Sequence, residues 1–217
     1  MASPQVEDYL KSIYKLQETG GRVSTSSLSE RLNVSAPSVT EMIKKLADEG
    51  VLTYAPYKGV ELTAEGRKQA LKILRRHRLW EVFLVEVLKY PWDEIHEEAD
   101  RLEHFTSEKL ERRLDEALGF PRTDPHGDAI PTIDGEIARR RYVALAEIEP
   151  GETVTVSRVN DVSAQVLQYA AKLGISLNKR IRVKERVEFD GSLRVEIGKK
   201  ERFVSAKLAS NIFVEEG

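Results

Sequence analysis

The chain has 217 residues, 41% hydrophobic and 32% charged, with a formal net charge of −2, a composition that reads as globular and long enough for two or three domains with cores of their own. No apolar run approaches the roughly 20 residues of a membrane span, and MASPQVEDYL lacks the basic and apolar regions of a signal peptide, so the expectation is a cytoplasmic protein with no membrane partner. Cysteine is absent, which excludes disulfides and thiolate metal sites and leaves imidazole and oxygen as the donors for any metal.

The near-neutral balance hides an asymmetry. The net charge is +4 over residues 1–78, −8 over 79–140 and +2 over 141–217. A basic first block suits phosphate. An acidic second block is either a cation-holding region or a solvated face.

Residues 4–18 read as a helix, with Val6, Leu10, Ile13, Tyr14 and Leu16 at apolar positions and Gly20-Gly21 as its stop. STSSLSERLNV, 24–34, reads as a short capped helix. In SAPSVTEMIKKLADEG, 35–50, Ser35 is the cap, Pro37 fits the first turn, and Val39, Ile43 and Leu46 form the buried stripe. VLTYAPYKGVELT, 51–63, reads as a β-hairpin turning at Pro56-Tyr57-Lys58-Gly59. Helix, short helix, turn, helix and hairpin is the plan of a winged helix-turn-helix, whose third helix would enter the major groove. Ser35, Pro37, Ser38, Thr40 and Glu41 then lie where base edges or phosphate are reached, with Lys44 and wing-tip Lys58 as phosphate contacts. Glu41 is unusual there. It either accepts from a cytosine amine or completes a Ser38-x-x-Glu41 capping pair.

A long helix is expected from Ala64 to about Leu88, with Arg75-Arg76-His77-Arg78 either a basic face or the setting of a ligand histidine. IHEEADRLEHFTSEKLERRLDEAL, 95–118, reads as a second long helix. Ile95, Ala99 and Leu102 carry its apolar period, while His96, Asp100, Glu103 and His104 fall within roughly a 100° arc beside that stripe. Neither helix can bury its apolar face in one small domain, so a homodimer is expected. GFPRTDPHGDAIP, 119–131, is a loop, and 132–147 reads as helix or linker. From about 148 the period becomes 2, through ETVTVSRV, RIRVKERVEF, a turn at Asp190-Gly191, SLRVEIG and KERFVSAKLASNIFVEE, with a helix near 163–173. The fold class is mainly α with small β units: residues 1–73 a winged helix-turn-helix DNA-binding domain, 74–140 a helical dimerisation domain that carries the potential metal ligands, and 141–217 a small all-β domain.

EDYLKSIYKL, SAPSVTEMIKKL, RRHRLWEVFL, IHEEADRLEH and PHGDAIP occur in an order that resembles the metal-dependent repressors of the diphtheria toxin repressor and manganese transport regulator group. PGETVTVSRV and LGISLNKRIRV resemble the SH3-like, FeoA-like third domain of its longer members. The resemblance spans nearly the whole chain. It implies a homodimer that binds double-stranded operator DNA when a divalent metal is bound and represses metal-uptake genes. It implies a primary site of Asp8, Asp100, Glu103 and His104, with carboxylates at Asp8 and Asp100 where the iron-responsive branch has methionine and cysteine. Oxygen donors suit Mn2+, with Fe2+ or another divalent transition metal as the alternative. For a second site the resemblance offers two sets: Glu81, Asp124, His126 and Asp161, or His77, Glu81 and His96 with third-domain residues. Asp-Pro-His-Gly is also ordinary turn chemistry, and His96 taken alone reads equally as a surface histidine.

The expected mechanism is a switch in which Asp8, Asp100 and Glu103 repel one another until a cation joins the first helix to the ligand helix. Two other classes are weighed against it. His96-Glu97-x-x-Asp100 echoes the H-E-x-x-H of zinc proteases but lacks the second histidine, so no enzyme is expected. A winged-helix regulator indifferent to metal would bind DNA equally well in chelator.

Overall fold

Serine caps start the helices at the beginning of the chain. Ser3 accepts from the Val6 N–H ahead of α1 (Pro4–Gln17), Ser24 from Ser27 ahead of α2 (Thr25–Leu32), and Ser35 from Ser38 ahead of α3 (Ala36–Asp48). Such a cap stabilises a helix by about 1 kcal/mol. Asn33, with φ 51°, closes α2 in the left-handed conformation and turns the chain into α3. Because Ser35 is the cap, Glu41 lies beyond the first turn of α3, which removes the Ser38–Glu41 capping pair as its explanation. This computed structural model describes residues 3–18, 20–138, 141–161 and 163–215.

Antiparallel β1 (Leu52–Ala55) and β2 (Gly59–Leu62) form the wing, in register from Leu52↔Leu62 to Ala55↔Gly59. Gly59 has φ +90°, and a Cβ there would stand 2.5 Å from the Val23 carbonyl oxygen. The bridge between Val23 and Val60 that ties the wing to the helices therefore requires glycine.

The long helix α4 (Ala64–Glu86) agrees with the sequence pattern. The next helix does not run unbroken to 118: α5 (Ile95–Glu103) stops and α6 (Glu108–Ala117) restarts. The reason lies in Thr106-Ser107. Ser107 accepts from the Leu110 N–H as a new cap, while the Thr106 hydroxyl donates to the Leu102 carbonyl and accepts from the Trp80 indole N–H, both at 2.7 Å. Three polar partners offer the backbone an alternative to continued helix.

Two units result. The first takes Met1–Trp80, Ala99–Gly119 and Ile130–Ile137, and the second takes Glu81–Glu98, Phe120–Ala129 and Ala138–Gly217. In the first, Tyr9, Leu10 and Ile13 of α1, Leu28 of α2, Val39, Ile43 and Leu46 of α3, Val60 of the wing, and Leu71 and Leu74 of α4 share one core. Phe105, at the break between α5 and α6, is left 81% exposed, and Leu110 is exposed beside it in sequence.

The second unit holds an antiparallel sheet of order β3-β8-β4-β5-β6-β7, with β3 (Tyr142–Ala144), β4 (Thr153–Val159), β5 (Arg180–Arg186), β6 (Leu193–Ile197), β7 (Lys200–Val204) and β8 (Ile212–Glu215). Alternate residues Ile181 and Val183, Leu193 and Val195, and Ile212 and Val214 enter its core. Helix α7 (Ala164–Leu173), capped by Ser163, packs Leu167 and Ala170 onto that core. The stretch 132–147 is neither helix nor plain linker. It contains β3 and a 3-10 turn at Leu145–Glu147, while residues 139 and 140 lie outside the described residues. The expected architecture, a mainly helical body with a small wing and a separate SH3-like β unit, is the one observed.

Candidate metal centre

Arg75-Arg76-His77-Arg78 is not a basic face. All four side chains are buried. Buried charge must be paired, and here it is. Arg75 donates to Glu111 (2.9 Å), to Asp115 (2.5 Å) and to the Pro131 carbonyl (2.8 Å). Arg76 donates to Glu7 (2.9 Å). His77 Nδ1 lies 2.6 Å from Glu103 Oε2 and 3.1 Å from Asp100 Oδ1. The arginines of α4 thus lock α1 and α6 to it and hold α5 through His77.

On that scaffold the first helix presents Asp8 and the end of α5 presents Glu103 and His104. One ligand atom from each of these three lies within 4.8 Å of the others. Glu103 is fully buried, and His104 Nε2 stands 3.2 Å from Asp8 Oδ1 and 3.9 Å from Glu103 Oε1. The other ring nitrogen, Nδ1, is 2.8 Å from Glu7 Oε2. Glu7 is itself fixed by Arg76, so the chain Arg76–Glu7–His104 orients the ring and turns Nε2 toward the two carboxylates. Asp100, the fourth expected member, is turned to His77 and to Lys11.

Lys11 is the residue that sequence reasoning missed. Its Nζ donates to Asp100 Oδ1 and to Glu103 Oε1, both at 2.6 Å. The expected mutual repulsion of three bare carboxylates is thereby corrected, since an ammonium from α1 already bridges to α5. Burial alone would lower the Lys11 pKa, but Glu103 and Asp100 outweigh it and hold it above the usual value. Burial likewise pushes the Glu103 carboxyl up, yet His77 and Lys11 bring it below its ordinary range, leaving it ionised. The Asp8 carboxyl is raised, by burial more than its cationic neighbours offset. Carboxylate oxygens and one oriented imidazole nitrogen, in a pocket carrying surplus negative charge, fit a divalent cation of hard to intermediate character.

The second unit brings Glu81, His96 and Asp161 together, again with one ligand atom each within 4.8 Å of the others. Glu81 is buried, and His96 Nδ1 lies 3.3 Å from its Oε1. His126 is buried as well, its Nδ1 has no hydrogen-bond partner, and its ring packs 5.6 Å from that of Trp92. Burial lowers its pKa despite Glu81, Asp161 and Asp128, so the ring is neutral at pH 7. A buried imidazole nitrogen without a hydrogen-bond partner, among acids, fits a cation ligand. Asp124 plays a structural part: its Oδ1 accepts from the His126 and Asp128 N–H groups and shapes the loop that carries His126. That loop is pinned to β4, where the Val159 N–H donates to the His126 carbonyl and Gly127 (φ +95°) has room for no side chain against Ser157. His77, which the resemblance grouped with this second set, has its Nδ1 on Glu103 and Asp100.

Of the residues expected to meet DNA, Ser35, Pro37, Ser38, Glu41 and Lys44 are exposed on or before α3, and Lys58 is exposed on the wing. The Thr40 hydroxyl donates to the Ala36 carbonyl (2.9 Å), so it bonds its own helix. Tyr57, fully exposed with φ +65° at the wing tip, was not singled out from the sequence.

The comparisons with known proteins run along the whole chain. The profile of the iron dependent repressor N-terminal DNA binding domain matches residues 1–60, that of the iron dependent repressor metal binding and dimerisation domain matches 63–132, and that of the FeoA domain matches 143–216. The iron-dependent repressor IdeR of Mycobacterium leprae (strain TN) is 39% identical over 157 residues, 69% of this chain and 68% of that protein. Among solved structures, a manganese-dependent transcriptional repressor in complex with manganese is 43% identical, with a TM-score of 0.89 over 98% of this chain and 100% of the other. ScaR with bound Cd2+ is 35% identical, with a TM-score of 0.81 over 98% of this chain and 99% of the other.

Proposed function

The chain belongs to the iron-dependent repressor family of metal-dependent, DNA-binding transcriptional repressors, and on that premise we propose that it represses metal-uptake genes in response to Mn2+. The family is one of regulators and not of enzymes, and no described helix is long and apolar enough to cross a membrane. The observation that carries the choice of ion is the donor set. Asp8, Asp100 and Glu103 supply only oxygen, His104 supplies nitrogen, and the chain has no cysteine. Without a soft donor, nothing in the site rewards the metals that prefer sulfur. A response to Fe2+ is the second reading, favoured by the identity to the mycobacterial iron-dependent repressor.

In this reading Asp8, Asp100, Glu103 and His104 would hold the ion, while Glu81, His96, His126 and Asp161 would form a second site. The bound ion supplies positive charge shared between the first helix and the α5 terminus. The protein does the rest. Asp8 sits on α1, which packs on the α2–α3 pair that meets DNA, and Glu103 and His104 sit at the end of α5, held by His77 and Glu7. Ligation by Asp8 together with Glu103 and His104 would therefore hold α1, and with it the recognition helix α3, against the helices that dimerise. Two recognition helices at a fixed spacing match two half-sites. Ser35, Ser38 and Glu41 are placed to meet base edges, and Lys44 and Lys58 to meet phosphate. The exposed Phe105 and Leu110 suit the dimer contact. A division into three consecutive parts is supported by profile matches at 1–60, 63–132 and 143–216, with the first boundary before residue 63 and not at 73/74, and residence in the cytoplasm accords with work on chromosomal DNA.

The choice of ion is tested by fluorescence anisotropy on promoter DNA from upstream of a metal-uptake gene, at buffered free Mn2+ and, anaerobically, Fe2+. Half-maximal DNA binding at a free concentration of Mn2+ that the cell reaches, with Fe2+ ineffective at its own cellular concentration, is the expected result. The reverse outcome assigns the protein to iron. Glu7→Gln is expected to weaken Mn2+ binding by roughly 10- to 100-fold, because the His104 ring is no longer oriented by a carboxylate. Isothermal titration calorimetry measures it.

A further inference from the structure

Lys11 does more than fill space. Its ammonium is buried, and its two short contacts go to carboxylates that the ion itself requires. Asp8, Asp100 and Glu103 bring three carboxylates to the cluster and Lys11 a single ammonium. Glu7, the other acid nearby, is matched by Arg76. Glu103 would be contested by the two cations, for its Oε1 bonds Lys11 Nζ at 2.6 Å and faces His104 Nε2 at 3.9 Å.

We infer that Lys11 is a tethered cation that holds the metal-free cluster together and competes with the divalent ion for Asp100 and Glu103, thereby setting the free metal concentration at which the repressor responds. The inference rests on the metal-site reading above and adds to it a regulator built into the chain. Two physical effects act in the same direction. Before Asp100 ligates a metal it must leave Lys11, and any ammonium remaining beside the site repels the incoming charge in a poorly solvated pocket. The same ammonium removes the repulsion that would otherwise open the site between α1 and α5 when metal is scarce. A tight, always-occupied site could not report changes in metal supply, and a weaker one with an internal competitor can.

The test uses the full-length protein stripped with chelator, in wild type and in Lys11→Met, Lys11→Gln and Lys11→Arg. Mn2+ affinity is read by competition with a fluorescent chelator, and stability by thermal melting with and without Mn2+. The neutral variants are expected to bind Mn2+ at least roughly tenfold more tightly, to melt earlier than wild type in chelator, and to show a larger metal-induced rise in Tm. Lys11→Arg, which keeps the charge, is expected to stay near wild type in affinity. Unchanged or weaker Mn2+ binding in both neutral variants overturns the inference. Should Lys11→Met not fold in chelator, Lys11→Gln, whose amide still donates to a carboxylate, gives the same comparison. Glu103→Gln separates the two levels of argument. If it binds Mn2+ as well as wild type, the site assignment itself fails. If it loses binding while the Lys11 variants do not tighten, only the role of Lys11 fails.

Discussion

Glu103→Gln weakens Mn2+ binding by more than about 100-fold and removes metal-dependent DNA binding with it. Loss of a group that merely orients a ligand costs roughly 10- to 100-fold in metal affinity, and Glu103 is a proposed ligand at the centre of the cluster, so its loss lies at or beyond the upper end. Glutamine keeps the volume, so no cavity opens around the fully buried side chain. It loses the negative charge that Lys11 and His77 both meet at 2.6 Å. The amide oxygen still accepts from Lys11, but the amide nitrogen donates, and it cannot accept from His77 if that ring nitrogen carries its proton. The variant is therefore expected to fold, to melt earlier than wild type in chelator, and to gain little Tm from Mn2+. Calorimetric titration and anisotropy on the same preparation check both halves. Wild-type affinity in this variant would remove Glu103 from the site.

Arg75→Met has the largest expected effect on stability and acts away from the proposed ligands. Arg75 is buried and serves Glu111, Asp115 and the Pro131 carbonyl at once. Breaking a buried pair by removing one partner typically costs about 3–5 kcal/mol, because the remaining charge is stranded. Here the cost falls toward the lower end, since burial already pushes the Glu111 carboxyl up and makes its neutral form accessible. About 3 kcal/mol corresponds to a fall in Tm of roughly 6–12 °C for a chain of this size. Asp115 and the Pro131 carbonyl also lose a donor. Melting followed by circular dichroism measures the drop. Replacing Glu111 with glutamine together with Arg75→Met should recover part of it, since the pair is then removed and not merely broken. A Tm within 2 °C of wild type would show that the pair is solvated in solution.

Much of the fold was legible because its signals are local. Ser24, Ser35 and Pro37 announce helix starts, Gly59 marks the wing turn, and the alternation in RIRVKERV marks a strand. Each depends on neighbours within a few residues. The break at Thr106-Ser107 was equally local and still escaped, because the apolar period continues across it through Leu102 and Leu110, and the Trp80 indole that stabilises it lies far back in the chain. Strand β3 escaped because three residues are too few to show a period.

The candidate site divides the same way. Glu103 and His104 stood out as adjacent metal-capable residues on a helix, and Asp8 only through resemblance. Glu7 and Lys11 did not stand out at all, and Arg76 only as one of a basic run. A buried ion pair looks in sequence like two surface charges, and Arg75-Arg76-His77-Arg78 looks like a solvated face. Its partners Glu7, Glu103, Glu111 and Asp115 are separated from it by tens of residues, and only the packing of α1, α5 and α6 on α4 brings them together. The spacing of Glu7 and Lys11, one helical turn apart and flanking Asp8, was the one available hint.

The central claim is that metal and DNA act on a single equilibrium. Linkage then requires that each tighten the other's binding by the same factor. The most direct measurement is the Kd for Mn2+ of the wild-type repressor, alone and saturated with its operator fragment, set beside the Kd for operator with and without Mn2+. Operator DNA is expected to tighten Mn2+ binding by the factor, at least about tenfold, by which Mn2+ tightens DNA binding, and Glu103→Gln is expected to bring both factors to one. A Kd for Mn2+ indifferent to operator DNA would contradict the claim.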